Sequence, residues 1–307
     1  MKKTLICMTL IAALCFVFAG CSSDGSSGGA QGGSDTPRIQ LDGASISAPD
    51  GVSVDGTTAV ITKAGTYEIT GKLDNGQIRV NVPKGNVTLI LNNADITCET
   101  TSPIFVQKAK NVYLQLADGS NNTVTDGSEY QFASGETEPE ATIYSKADLI
   151  INGTGSLTVN ANYKNAIEGR DTLTIESGTL NITSVNHGIK GKDNLIIKGG
   201  SITVNAGNDG IKSTNKKDAK LGYVEISGGN ITVIAEDEAV SAVTHVTVSG
   251  GSVKIETANN GIKAGGYIDI SGGTIDIETD DKDFISQGEC NIGEGASVTV
   301  NGEQISG

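Results

Sequence analysis

Tryptophan is absent from this chain of 307 residues, and phenylalanine and tyrosine together supply only 12 aromatic rings. A flat aromatic platform for gripping crystalline polysaccharide is therefore poorly supplied. Arginine is nearly as scarce: Arg38, Arg79 and Arg170 are the whole complement, so a guanidinium clamp for carboxylate or phosphate has little to draw on. The two histidines, His187 and His245, have no metal-ligand neighbour in the sequence, which disfavours zinc. They also lack a nucleophile at a recognisable motif, and both are expected as exposed turn or strand residues. Positive charge is short overall, with 22 Lys and Arg against 36 Asp and Glu and a formal net charge of −14. Such a surface repels nucleic acid and anionic lipid, so neither is expected as a partner. No segment carries the periodicity of a long amphipathic helix, and no glycine-rich turn leads into a helix to cradle phosphate.

What the chain has is a repeat. Six runs share one phase: Asn165-Ala166-Ile167-Glu168, His187-Gly188-Ile189-Lys190, Asp209-Gly210-Ile211-Lys212, Glu238-Ala239-Val240-Ser241, Asn260-Gly261-Ile262-Lys263 and Asp283-Phe284-Ile285-Ser286. Their apolar third residues stand 22, 22, 29, 22 and 23 positions apart. Ser177-Gly178, Gly199-Gly200, Gly228-Gly229, Gly250-Gly251 and Gly272-Gly273 keep the same beat, each between two short alternating apolar runs. A period of 20–30 residues means stacked coils, and β-branched residues at every second position mean strands. One repeat cannot bury its own apolar face, so neighbours stack to make a continuous core. The fold class is all-β: a single parallel β-helix of about ten coils, with a shaft roughly 50 Å long.

The chain opens with Lys2 and Lys3, an uncharged apolar run from Leu5 to Ala19, and then Phe18-Ala19-Gly20-Cys21. This is an export signal over residues 1–20, too short for a spanning helix. The cysteine after Ala-Gly resembles a lipobox, at which Cys21 is diacylated; Phe18 departs from the usual aliphatic residue there. Ordinary secretory cleavage, with Cys21 unmodified, is the alternative. Residues 21–37 are a Ser/Gly-rich tether, which places the domain at the extracellular face of the membrane through the lipid alone. Loss of Lys2 and Lys3 leaves 20 basic against 36 acidic residues, a net −16. Residues 38–84, broken by turn signals, read as an N-terminal β cap and first strands, and residues 85–303 as the β-helix. Polar residues 118–140 and an insertion near Ser213–Leu221 interrupt the beat. Cys98 and Cys290 fall near opposite ends, too far apart for a disulfide, and are expected as free buried thiols. A monomer is presumed.

Alignment of the coils on the apolar residue exposes two columns. Two positions before it stand Asn165, His187, Asp209, Glu238, Asn260 and Asp283, and one position earlier Lys164, Asn186, Asn208, Asp237, Asn259 and Lys282. Adjacent coils lie about 4.8 Å apart, roughly twice a Ca–O distance, so in-phase carboxylates can share a cation. The best clusters are Asp209 and Asn208 with Asp237 and Glu238, and Asp280, Asp281 and Asp283 with Asn259 and Asn260. Oxygen-only ligands favour Ca2+; the alternative is a plain turn ladder of hydrogen-bonded Asn and solvated Asp. One position after the apolar residue stand Glu168, Lys190, Lys212, Ser241, Lys263 and Ser286. Lys190 and Lys212 on adjacent coils are an unfavourable like-charge pair unless an anion intervenes. That anion is either a sugar carboxylate or the neighbouring Glu168 and Asp209.

A resemblance adds to this reading. Ala64-Gly65-Thr66-Tyr67-Glu68-Ile69-Thr70-Gly71, Val87-Thr88-Leu89-Ile90-Leu91-Asn92-Asn93, Leu116-Ala117-Asp118-Gly119-Ser120-Asn121-Asn122, Gly188-Ile189-Lys190-Gly191-Lys192-Asp193 and Asp209-Gly210-Ile211-Lys212-Ser213-Thr214-Asn215 are similar, in order and spacing, to a bacterial surface carbohydrate-binding β-helix family of clostridial-type lipoproteins. The resemblance runs over roughly residues 40–302. It implies a right-handed helix with a pectate-lyase-like fold, bound calcium, and binding of polygalacturonate or pectin, with cellulose as a further ligand. The sequence departs from the family's Asp-Gly-Ile at His187, Asn260 and Glu238-Ala239-Val240. The implied role is carbohydrate binding without catalysis. A uronate lyase with Lys190, Lys212, Lys263 or Arg170 as base is one alternative, and a structural or adhesive surface protein is the other.

Overall fold

Alternation makes the strands. Along Ser201–Ala206, Ile202, Val204 and Ala206 are buried while Ser201, Thr203 and Asn205 are exposed, because successive side chains of an extended chain point to opposite faces. The computed structural model of the protein describes residues 36–132, 134–257 and 259–305. Its regular elements there are all strands. The expected signal peptide, the lipid acceptor Cys21 and nearly all of the tether lie outside the described residues.

A typical coil has three strands, as in Tyr223–Ile226, Asn230–Ala235 and Glu238–Ala242. The first two belong to a 21-stranded sheet and the third to an 11-stranded one. Coils pair in parallel, with Val224 opposite Val246, Ile231 opposite Val253 and Val240 opposite Ile262. The chain is a parallel β-helix. Among the described residues, ten strands of the smaller sheet, from Thr58–Ile61 to Phe284–Ser286, stack in parallel. Ile167, Ile189, Ile211, Val240 and Ile262 form one continuous core column. Residues 38–84 combine cap and first coils: Arg38–Gly43 already pairs in parallel with Gly65–Leu73. Ser45–Ser47 and Val52–Asp55 add antiparallel cover, matched at the far end by Glu303–Ile305. Such cover blunts the open edges of a solenoid.

Two expectations are corrected at the C-terminal end. The last coil is displaced by one residue: Phe284 stands opposite Ile262 and Ile285 opposite Lys263. Phe284 packs against the core in the slot assigned to Ile285, because the ring has more apolar surface to bury. Cys98 is buried, but Cys290 is exposed. Cys290 pairs with the core residue Ile268, yet its strand is the last of that ladder and no coil covers its outer side.

The glycine landmarks have two separate causes. The second member of each pair is left-handed, with φ of 106° at Gly178, 99° at Gly200 and 98° at Gly229, where only glycine is unstrained. The Gly-Ile runs instead reflect close packing. A Cβ on Gly210 would sit 2.2 Å from Val233 Cγ1 and 2.8 Å from the Ala239 carbonyl oxygen. Gly210→Ala is expected to destabilise by about 1–3 kcal/mol through overpacking, read as a lower midpoint in denaturant.

Candidate functional site

Strands of the smaller sheet align a single row on the face turned away from the core, part of it covered and part of it open to solvent. Register places Arg79, Phe105, Tyr144, Glu168, Lys190, Lys212, Ser241, Lys263 and Ile285 on successive coils. The expected sequence of Glu168, Lys190, Lys212, Ser241 and Lys263 is therefore present, but it ends on Ile285 rather than Ser286. Phe105, Ala141 and Tyr144 form a small apolar cluster separate from the main core.

Every lysine of the row meets a carboxylate. Lys190 Nζ lies 3.2 Å from Glu168 Oε1, Lys212 pairs with Asp209, and Lys263 pairs with Glu238. Glu168 and Asp209 are wholly buried and Glu238 nearly so, and a buried carboxylate needs such a partner. Glu168 Oε2 accepts a 2.7 Å hydrogen bond from Asn165 Nδ2, and Arg170 Nη1 lies 3.7 Å from Oε1, the oxygen that Lys190 also meets. Burial lowers the pKa of Lys263, but the hydrogen bond to Glu238, the larger effect, raises it overall.

Asp209, Asp237 and Glu238 come together, each offering an oxygen within 4.8 Å of the others. Asp209 Oδ2 accepts a 2.8 Å hydrogen bond from Ser241 Oγ, while its buried Oδ1 has no hydrogen-bond donor, and neither has the buried Oδ1 of Asn260. Asn260 is in register with Glu238. Burial, and then the charge of Asp209, raise the Glu238 pKa. Asp209 is held below the usual carboxylate range, because Lys212 offsets the opposing effect of burial. An all-oxygen set of this kind, partly unsatisfied, fits a hard divalent cation. Turn-ladder bonds coexist with it: Asn259 Nδ2 donates to Asp237 Oδ1 at 2.9 Å, and the Asp237 N–H to the Asn208 carbonyl at 3.3 Å.

The second expected cluster is not assembled. Asp280 and Asp281 are exposed, and Asp283 accepts a 2.6 Å hydrogen bond from Thr279. The one-residue displacement puts Lys282, not Asp283, beside Asn260, since the Gly261 N–H bonds to the Lys282 carbonyl. Among the described residues, Asp209, Asp237 and Glu238 are the one group of three or more His, Cys or acidic ligands.

His187 sits in the same column, half-buried, with Nδ1 buried and unpartnered. Burial, followed by the Lys212 charge, pushes its pKa down to about 4, and Lys190 adds to this against the opposing pulls of Asp209 and Asp237. His245 lies on the larger sheet, stacked between Tyr223 and Tyr267 at centroid distances of 5.0 and 4.8 Å. The rings face one another, so this stack presents edges rather than a flat platform. Sequence reasoning missed both this ladder and the joining of Arg79, Phe105 and Tyr144 to the lysine row. Their spacings of 26 and 39 residues, the second widened by the polar loop, depart from the 22-residue beat, which hid the shared phase.

Comparison with known proteins adds three findings. Residues 55–304 match the family described as "Carbohydrate-binding domain-containing protein". A protein of that description from Acetivibrio thermocellus is 34% identical over 187 residues, 59% of this chain and 65% of the relative, so the match spans just under two thirds of that relative's length. The solved structure of a polysaccharide lyase-like protein from C. thermocellum, a gadolinium derivative, superposes with a TM-score of 0.75 at 33% identity. That superposition covers 86% of this chain and 100% of the other.

Proposed function

The chain belongs to the carbohydrate-binding domain-containing family, and from that premise we propose that it is a lipid-anchored, cell-surface binder of acidic polysaccharide. Polygalacturonate is the foremost ligand and cellulose the second, with Ca2+ at Asp209, Asp237 and Glu238. The observation that carries this reading is the outer row of the smaller sheet, where Lys190, Lys212 and Lys263 line the shaft beside a carboxylate cluster with unsatisfied buried oxygens. A surface of net charge −16 after signal removal rejects a polyanion unless fixed lysines and a bound cation offset it locally. The ion would be held by Asp209, Asp237 and Glu238, with Asn260 in register beside them. Its role there is to neutralise carboxylates of protein and ligand.

The same pairs support binding without cleavage. A lyase base must be a neutral amine or guanidine, whereas the Lys263 pKa is raised by Glu238 and Lys190 and Lys212 both pair with carboxylates. Retention on immobilised polygalacturonate should require calcium and be lost on chelation. Steady release of unsaturated uronide would establish the lyase reading instead, and retention on neither polygalacturonate nor cellulose the adhesive one.

Chelation should also lower the melting temperature. A ligand that binds only the folded state stabilises it by about 2.7 kcal/mol at a hundredfold excess over Kd. Asp209→Asn should remove the calcium response and Asp283→Ala, away from the cluster, should keep it. Equal melting curves with and without chelator would exclude the ion.

A further inference from the structure

The N-terminal end of the same row holds a concentration of positive charge that the acidic composition does not foreshadow. Two of the chain's three arginines lie at this end, Arg79 on the coil before Phe105 and Arg170 on the coil after Lys146. Arg79 and Lys146 each place their charge 5.9 Å from the centroid of the Phe105 ring. Lys146 and Arg170 follow paired residues, Ser145 and Gly169, on adjacent coils and so share one column. A cavity of about 340 Å3 lies against Arg79, Phe105 and Lys146, and against Glu136 and Glu138 of the polar loop.

One carboxylate fills the focus of these groups, and it comes from the chain's own polar loop. Glu138 Oε2 lies 2.8 Å from Lys146 Nζ, and its Oε1 lies 3.0 Å from Arg170 Nη1. Burial alone would raise the Glu138 pKa. Lys146, the Tyr144 hydroxyl and the Arg170 charge more than offset it, holding the group below the usual carboxylate range. Tyr144 is wholly buried, and its hydroxyl makes no hydrogen bond of ordinary geometry. The site is thus built for a carboxylate and holds one whose hydroxyl contact is imperfect. Both ion pairs are partly exposed, with side-chain exposures of 40% and 33% for Lys146 and Arg170 and 27% for Glu138. Pairs of that exposure contribute little, so a competing carboxylate can replace Glu138.

We infer that Arg79, Lys146, Arg170, Phe105 and Tyr144 form a uronate-binding subsite in which Glu138 is a built-in competitor. The inference rests on the proposed acidic-polysaccharide reading and extends it. A sugar carboxylate takes the Lys146 and Arg170 contacts while the pyranose enters the cavity that Phe105 lines, and Glu138 rotates to solvent. The subsite joins Glu168 and Lys190 directly along the row, so a chain entering here continues onto the lysines.

The test uses trigalacturonate as probe, cellotriose as neutral control, and the full chain. If Glu138 fills the site nine times in ten, its removal raises apparent affinity about tenfold, since apparent Kd scales inversely with the competent fraction. Glu138→Gln should therefore tighten trigalacturonate binding about tenfold by calorimetry and leave cellotriose unchanged. Lys146→Met in the Glu138→Gln background should abolish the gain. Lys146 is 40% exposed, so this variant is expected to fold, and its melting curve checks that. Unchanged or weaker trigalacturonate binding by folded Glu138→Gln would overturn the subsite, as would a gain that survives Lys146→Met. Wild-type retention on polygalacturonate separates the two readings. Retention with no gain in Glu138→Gln leaves the function and removes the subsite. A gain without retention leaves the subsite and removes the function.

Discussion

Lys190→Ala should destabilise the protein by about 3 kcal/mol. Glu168 is wholly buried, and its charge is balanced by Lys190 at 3.2 Å and, more loosely, by Arg170 at 3.7 Å. Breaking a buried pair by deleting one partner costs about 3–5 kcal/mol, because the remaining charge stays desolvated. Arg170 remains as partial compensation and puts the expected loss at the lower end. At roughly 2–4 °C per kcal/mol for a domain of this size, the midpoint should fall by about 6–12 °C. Glu168→Gln should rescue much of the loss, since no buried charge then needs a partner, and a double-mutant cycle reads the coupling directly. Polygalacturonate retention, measured well below the new midpoint, reports the second role of the lysine. A variant that melts lower and binds normally marks Lys190 as a neutraliser of Glu168 alone. Weakened retention places it on the glycan track.

Acid should weaken the fold through His187. Its pKa is pushed from 6.5 down to about 4 by burial and by the Lys212 and Lys190 charges. The unfolded chain therefore takes up a proton that the folded chain refuses as pH falls from 6.5 towards 4. Stability from this group is fully present above pH 6.5 and is lost across that interval. At 1.36 kcal/mol per pH unit, the interval corresponds to roughly 3 kcal/mol. His187→Asn places an amide where Asn165 and Asn260 occupy the same column. It should flatten the acid limb by that amount relative to wild type while carboxylate titrations affect both proteins alike. Parallel pH profiles for the two would show that His187 is freely protonated in the folded state.

The contrast between these two sites and the shaft shows what could be read from sequence. The 22-residue step, the alternation of Ile202 and Val204 with Thr203 and Asn205, and the glycine pairs determined the β-helix, its core columns and its left-handed turns. Each is local, and stacking repeats it from coil to coil, so a register error would expose a whole apolar face. The adjacency of Lys190 with Lys212 followed from the same step, and that of Asp209 with Asp237 and Glu238 from the phase kept across the 29-residue insertion step. Tertiary structure alone decided the rest. Phe284 took the core slot of the last coil because its ring buries more area than Ile285, and that shift carried Asp283 away from Asn260. Glu138 reached Lys146 and Arg170 from a loop outside the repeat, a contact with no period to announce it. The lysine partners were decided likewise, because reach and burial at the end of a flexible side chain are set by the neighbours it finds in space.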